Sequence, residues 1–173
     1  KVLVEPGQAA CVFSGNQAVT GGGLYLNGQI DDGRKGTWTI ADGVQFINNR
    51  ATNSQFKKGG GLYVDSTGNG VTLGGVYEKN TGDGICAVYG NGELIIDDAQ
   101  ITDNTGSGVY ARSGYGTLRI DKSQISGNTN SGLIVADSAT PDSPQVFITG
   151  NTVIDGNTSL TSGGGVNVGR TYT

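Results

Sequence analysis

Residues 100–111 read QITDNTGSGVYA, and residues 124–135 repeat the pattern as QISGNTNSGLIV. Each copy has an apolar residue, two further residues, an asparagine, a polar turn, and a glycine that leads a short apolar strand. A third short strand, Leu118-Arg119-Ile120, lies between the two copies. A fixed period with three short strands in each period is typical of a solenoid.

The apolar-x-x-Asn pattern extends over nearly the whole chain, at intervals of 33, 31, 24, 24 and 29 residues. A glycine-led strand follows each asparagine, and most periods end in a third strand such as Trp38-Thr39-Ile40. The sequence therefore predicts an all-β fold, a single-stranded parallel β-helix (β-solenoid) with three short strands per coil and about six to seven rungs. Right-handed connections dominate parallel sheets, which favours a right-handed helix.

The predicted domain is one β-helix that spans residues 1–173, with turn insertions at about 27–36, 50–58 and 136–145. Val2-Leu3-Val4 fits the third strand of an incomplete first coil. The predicted core contains Phe13, Leu24, Leu26, Ile40, Phe46, Leu62, Val64, Ile85, Leu94, Ile96, Ile101, Val109, Ile120, Ile125, Leu133, Val135, Ile154 and Val166.

Composition excludes several classes of partner. The net charge of −4 gives no general attraction to nucleic acid or to an anionic membrane, and no run of about 18 apolar residues predicts a membrane-spanning helix. The 32 glycines fall at repeated corners, where they permit sharp turns and close approach of neighbouring coils. A chain that begins at Lys1 fits a mature secreted product or an excised piece, and we expect an extracellular or cell-surface location.

The regular asparagines are expected to stack at a corner as a ladder of side-chain amides, as in cross-β stacks. A row of ligand-binding amides is the alternative interpretation. The six positions are Asn16, Asn49, Asn80, Asn104, Asn128 and Asn157.

A partly aromatic column is predicted on the outer surface, because the central residue of each glycine-led strand should point outward. Stacking within the sheet is one interpretation of this column, and a docking face for a sugar polymer or another subunit is the other. Its members are Tyr25, Tyr63, Cys86, Tyr110, Ile134 and Asn167.

The two cysteines, Cys11 and Cys86, are more than two coils apart, so an intramolecular disulfide is not expected. Free thiols or a disulfide between subunits remain as alternatives, and Cys86 in the outer column would be placed for the latter.

Acidic residues recur after the third strands, at Asp42, Asp97-Asp98 and Asp121, and Asp31-Asp32 lies in an insertion. A calcium site or a carboxylate pair for glycoside hydrolysis is one interpretation, and Asx-turn chemistry is the other. We expect no metal, no cofactor and no catalytic residue. The chain has no histidine, which excludes serine–histidine and cysteine–histidine catalysis.

Two repeats resemble those of a known family. Phe13-Ser14-Gly15-Asn16 with Gly22-Gly23-Leu24, and Phe46-Ile47-Asn48-Asn49 with Gly60-Gly61-Leu62, resemble the F-x-x-N and G-G-A-[ILV] repeats of polymorphic outer-membrane proteins. These are autotransporter-type passengers of bacterial surfaces, and the resemblance implies a right-handed β-helix with a role in adhesion. In coil architecture the chain also resembles pectate lyases and polygalacturonases, but it lacks the Gly-His-Gly and Asn-Thr-Asp elements of the latter.

The expected function is therefore non-enzymatic: a structural, surface or fibre-forming subunit that self-associates through its end rungs. Seven Lys/Arg and six Asp/Glu lie in residues 1–80, against four and nine in residues 81–173, a polarity that favours head-to-tail contact. The competing functions are a carbohydrate-binding adhesin segment that binds a cell-surface glycan or host receptor, and an enzyme that acts on polysaccharides.

Overall fold

The computed structural model describes residues 2–4, 10–29, 37–53, 59–67, 70–90, 92–113, 116–137 and 145–170. These residues form strands and turns, and no helix among them is long and apolar enough to cross a membrane. The strands, in chain order, are β1 (Val2–Val4), β2 (Cys11–Ser14), β3 (Gln17–Ala18), β4 (Leu24–Gln29), β5 (Thr37–Ile40), β6 (Val44–Ile47), β7 (Arg50–Ala51), β8 (Leu62–Thr67), β9 (Gly70–Glu78), β10 (Ile85–Tyr89), β11 (Glu93–Thr102), β12 (Val109–Ser113), β13 (Thr117–Asp121), β14 (Gln124–Ser126), β15 (Leu133–Asp137), β16 (Gln145–Thr149), β17 (Val153–Asp155) and β18 (Val166–Arg170).

Apart from β3 and β7, which pair with each other as a separate two-stranded sheet, the strands stack into three parallel faces of six strands each, with β9 and β11 contributing to two faces. The closing face contains β1, β5, β13, β16 and the first halves of β9 and β11. The Asn face contains β2, β6, β14, β17 and the second halves of β9 and β11. The Gly face contains β4, β8, β10, β12, β15 and β18. The chain passes through the closing, Asn and Gly faces in turn, which gives six coils and confirms the predicted parallel β-helix.

Two long strands cross a corner without interruption. β9 and β11 pass from the closing face to the Asn face through residues with left-handed backbone, Gly75 with φ 86° and Asp98 with φ 52°. The register between these strands shifts between Ile96 and Ala99, because the two corners use different numbers of residues. The sequence pattern predicts two separate strands here, whereas the left-handed residue turns one strand through the corner.

The core is a column of apolar side chains inside the stacked coils. Three aromatic rings are stacked within it: Phe13 and Phe46 have centroids 4.8 Å apart, and Phe46 and Tyr77 have centroids 4.9 Å apart. Burial raises the pKa of the Tyr77 hydroxyl. Most of the predicted core is buried, including the leucines and isoleucines of the four middle coils.

The predicted core residues of the first and sixth coils are less buried than those of the middle coils. Phe13, Leu24 and Ile154 are only half-buried, and the prediction that Val166 is a core residue is wrong, because its side chain is 40 % exposed. Val166 does point toward the core, since it pairs in register with buried Leu133. Its exposure follows from its position on the sixth coil, where no described strand covers it.

The predicted first-coil strand is confirmed, since Val2–Val4 pairs with Trp38–Ile40. Strands occupy the described parts of the predicted insertions at 27–29, 50–51, 136–137 and 145. Residues 30–36, 54–58 and 138–144 of the insertions lie outside the described residues.

Candidate functional site

The six asparagines of the repeat form one column at the corner that follows the Asn face. In each step the Nδ2 of one asparagine donates to the Oδ1 of the asparagine in the next coil. The five bonds are Asn16 to Asn49 at 3.0 Å, Asn49 to Asn80 at 3.2 Å, Asn80 to Asn104 at 3.0 Å, Asn104 to Asn128 at 2.9 Å, and Asn128 to Asn157 at 2.8 Å.

The column, here called the asparagine ladder, also holds the backbone. From Asn49 to Asn157, each Oδ1 accepts a second hydrogen bond from the backbone N–H of the asparagine before it, at 2.9–3.0 Å. The second Nδ2 hydrogen is donated to the carbonyl of the apolar residue in the preceding coil, as from Asn104 to Tyr77 at 3.0 Å. A middle asparagine such as Asn104, which is fully buried, thus uses its whole hydrogen-bonding capacity.

A residue with left-handed backbone precedes every asparagine of the ladder. These residues are Gly15, Asn48, Lys79, Asp103, Gly127 and Gly156, with φ between 54° and 67°. This conformation turns the chain sharply at the end of the strand, so that the asparagine side chain points inward. Three of the six are not glycine and adopt a conformation that costs L-residues energy, so the corner itself requires it.

A column of glycines leaves space for the ladder. A Cβ added at Gly108 would meet Ile125 Cγ2 at 2.5 Å, the Gly132 carbonyl at 2.7 Å and Asn128 Nδ2 at 2.9 Å. Gly23, Gly61, Gly84 and Gly132 are equally close to the next asparagine amide and the next glycine carbonyl. Glycine is thus required before each of these strands because the ladder of the next coil occupies the position of its side chain.

The predicted outer column is in register on the Gly face. Tyr25 pairs with Tyr63, Tyr63 with Cys86, and the column continues through Tyr110 and Ile134. The rings of Tyr25 and Tyr63 are 5.2 Å apart and tilted by 46°. Asn27 Nδ2 donates to the Tyr25 hydroxyl at 3.2 Å.

Exposure along this column is uneven, so the predicted docking stripe is not exposed over its whole length. Tyr25 is 45 % exposed, but Tyr63 is 7 % exposed and Cys86 is fully buried. Cys86 lies between two larger side chains, Tyr63 and Tyr110, one coil to either side, and is buried between them. Burial raises the pKa of Tyr63 to about 12, and it raises the pKa of Tyr110 as well. Among the residues of this column that the structure describes, Tyr25 on the first coil is the one that presents a large exposed ring.

The cysteines lie on different faces, Cys11 on the Asn face and Cys86 on the Gly face. Cys11 is half-buried. The prediction that Cys86 is placed for a disulfide between subunits is wrong, since a fully buried sulfur cannot reach another chain unless the flanking tyrosines move.

The acidic residues meet at the corner between the closing and Asn faces. Asp97 pairs in register with Asp121, as the repeat indicates. Lys122 lies between them, with its Nζ 3.6 Å from Asp97 Oδ1 and 3.5 Å from Asp121 Oδ2. The negative charges of these carboxylates raise the pKa of Lys122, and Asp97 has the larger effect. Lys122 is not among the residues predicted for this corner, although its position directly after Asp121 was a usable signal.

A depression of about 300 Å³ lies beside Asp97 at the same corner. It is lined by Asp42, Asp97 and Asp98, together with Thr39, Thr72 and neighbouring backbone. In the described part of the chain, no group of three or more acidic or cysteine side chains has the arrangement needed to hold a metal ion. Asp31 and Asp32 lie outside the described residues.

The stacked coils, the parallel register and the internal ladder together define the class of protein as a parallel β-helix. Residues 33–172 match the family model described as the right handed beta helix region. The match covers most of the chain, and the chain belongs to this family. No curated protein and no solved structure matches the chain.

We predict that Asn104→Leu lowers the free energy of unfolding by about 3–5 kcal/mol, because four hydrogen bonds are lost and the N–H of Asn80 is left unpaired inside the protein. Asn16→Leu, at the exposed end of the ladder, should cost about 1 kcal/mol or less. The measurement is urea unfolding followed by the fluorescence of Trp38, the single tryptophan. Equal losses in the two variants would show that the backbone bonds alone hold the coils together.

We also predict that a thiol-alkylating reagent modifies Cys11 in the native protein and Cys86 only after unfolding, because the reagent must reach the sulfur. The rate is measured by mass spectrometry in the presence and absence of urea. Cys11→Ser should remove the native-state reaction and Cys86→Ser should retain it. Fast modification of Cys86 in the native Cys11→Ser variant would contradict its burial.

Proposed function

We propose that this β-solenoid is a non-enzymatic, extracellular structural protein, a surface or fibre-forming subunit that self-associates end to end. The observation that carries the proposal is the exposure of core-facing side chains on the sixth coil. Ile148 is 43 % exposed, Val166 is 40 % exposed and Val168 is 67 % exposed. Their partners in the fifth coil, Ile120, Leu133 and Val135, are all buried.

The first coil offers the complementary surface. Cys11, Phe13 and Leu24 face the core but are only half-buried. Phe13 stacks on Phe46 through one face of its ring. A further coil on this surface would bury the remaining apolar area, which favours association by the hydrophobic effect. The open strand edges of both end coils would gain backbone partners in the same step.

The proposal of a non-enzymatic role rests on the chemistry of the acidic corner. The two carboxylates in register, Asp97 and Asp121, share the cation Lys122, which is the arrangement of a surface ion-pair network. The chain also has no histidine that could act as a general base. The extracellular location rests on the resemblance of the first two repeats to bacterial surface passengers.

We predict that Val168→Asp prevents self-association, because it places a charge in the apolar surface that the contact would bury. Val153→Asp is the matched control: it adds the same charge to the same coil, at an exposed valine outside the core-facing set. The measurement is analytical ultracentrifugation and electron microscopy over a concentration series. A wild-type chain that remains monomeric at high concentration would refute end-to-end association.

A carbohydrate-binding adhesin is the second candidate, and Tyr25 is the observation that favours it. Its exposed ring, fixed by the bond from Asn27 and by the ring of Tyr63, is the kind of aromatic surface on which sugars stack. The partner would be a cell-surface glycan or a glycosylated host receptor.

For this candidate we predict that Tyr25→Ala abolishes binding on a glycan array, because the exposed ring is lost. Phe147→Ala is the control, since Phe147 is an exposed aromatic residue on another face, where Arg119 lies 5.2 Å above its ring. Equal loss of binding in the two variants, or no binding by the wild type, would contradict the adhesin.

A further inference from the structure

The two ends of the asparagine ladder are complementary. At the first coil, Asn16 donates its backbone N–H and its Nδ2 to Asn49, but its Oδ1 accepts no hydrogen bond from the described residues. At the sixth coil, the Oδ1 of Asn157 accepts both bonds from Asn128, but its backbone N–H donates to none of the described residues. One end of the ladder therefore presents an acceptor, the Oδ1 of Asn16, and the other end presents a donor, the backbone N–H of Asn157. The same two groups pair between neighbouring coils within the chain.

Gly165 is the second, independent observation. In the five earlier coils, a Cβ added at the equivalent glycine would lie 2.6–3.1 Å from the amide nitrogen of the next ladder asparagine. The same Cβ at Gly165 would meet only Ile154 Cγ2, at 4.0 Å. The backbone φ of Gly165 is not in the left-handed region. Nothing among the described residues therefore requires glycine at position 165, whereas a ladder asparagine stacked on the sixth coil would require it.

We infer that a second copy of this chain stacks head to tail on the sixth coil, in the register that continues the ladder. Asn157 donates its backbone N–H to the Oδ1 of Asn16 in the second copy. Its Nδ2 donates to the carbonyls of Ile125 and Asp155 within the chain, at 2.9 and 3.0 Å, and in the contact it donates to the same Oδ1 in place of the Asp155 carbonyl. Gly165 then packs against the amide of that asparagine, as Gly132 packs against Asn157 within the chain. The inference rests on the proposed function and specifies the polarity and register of the association.

The apolar residues fit the same register. Ile154 pairs with Ile125 on the Asn face, so the next position in that column would be taken by Phe13 of the second copy. On the Gly face, Val166 and Val168 would lie against the Leu24 and Leu26 positions of the second copy, as they lie against Leu133 and Val135 within the chain. The exposed Val166 and Val168 and the half-buried Ile154 of the sixth coil then cover core-facing side chains of the first coil.

The polarity follows from the donors and acceptors. Two sixth coils face to face would place Asn157 N–H against Asn157 N–H, and two first coils would place the Oδ1 of Asn16 against its own copy. Both arrangements leave polar groups unpaired in a buried contact, which is costly. Head-to-tail stacking alone pairs them, and it produces an open filament because the same contact can repeat at every end.

The test is Gly165→Ala, with Gly169→Ala as its matched control in the same strand. A Cβ at Gly169 meets only Asn167 Oδ1, at 3.9 Å, on the outer side of the coil. Both variants should unfold at the urea concentration of the wild type, since neither added methyl group meets a close neighbour within the chain. Gly165→Ala should raise the concentration required for filament growth about tenfold or more, because its methyl group overlaps the incoming Asn16 amide. Gly169→Ala should leave this concentration unchanged.

A second variant tests the other end of the contact. Asn16→Leu removes the acceptor and should raise the same concentration while the monomer remains folded. If Gly165→Ala and Asn16→Leu both assemble like the wild type, this register is wrong and end-to-end association through another contact still stands. If the wild type does not assemble, both the register and the proposed function fail.

Discussion

An asparagine amide inside a protein must have partners, since leaving a buried polar group unpaired costs about 1–3 kcal/mol. In the asparagine ladder, each amide has the equivalent asparagine of the next coil as its partner. The same hydrogen bonds therefore repeat from coil to coil. The geometry of the corner follows from it. The left-handed residue before each asparagine turns the amide inward, and the glycine at the start of the Gly face leaves room for the amide of the neighbouring coil. Strand register on all three faces is fixed as a result.

The outer surface is not subject to this constraint, and it differs from coil to coil. The outer column changes from Tyr25 through Cys86 to Ile134, and the acidic corner changes from Asp42 through Asp97 to Asp121. Inside, one chemistry is repeated, while outside each coil has its own. Features that distinguish this β-helix from another member of its family are therefore expected on the outer surface and on the two end coils.

Much of the fold could be predicted from the sequence, because the ladder requires one asparagine per coil and its spacing is visible in the chain. The spacing of Asn104 and Asn128, for example, gives the register of β11 on β14. Burial on the outer surface could not be predicted in the same way. Whether Cys86 is exposed depends on Tyr63 and Tyr110, which come from other coils and cover it. The exposure of Val166 was missed for a related reason: the strand pattern shows which side of the coil a residue faces, but not whether another coil lies above it.

The coils from β10 to β15 repeat at 24 residues with no change of register, since Ile85, Val109 and Leu133 are consecutive partners. Each coil contacts only its two neighbours, as in other repeat proteins. Removal of one whole 24-residue unit, such as residues 100–123, would therefore join Ala99 to Gln124, the equivalent of Gln100. Duplication of the same unit would join Ser123 to a second copy of Gln100, and either change leaves the ladder, the glycine column and the core continuous. The number of coils can therefore change one at a time, by gene duplication or by protein engineering. The surfaces of the two end coils stay the same when it does.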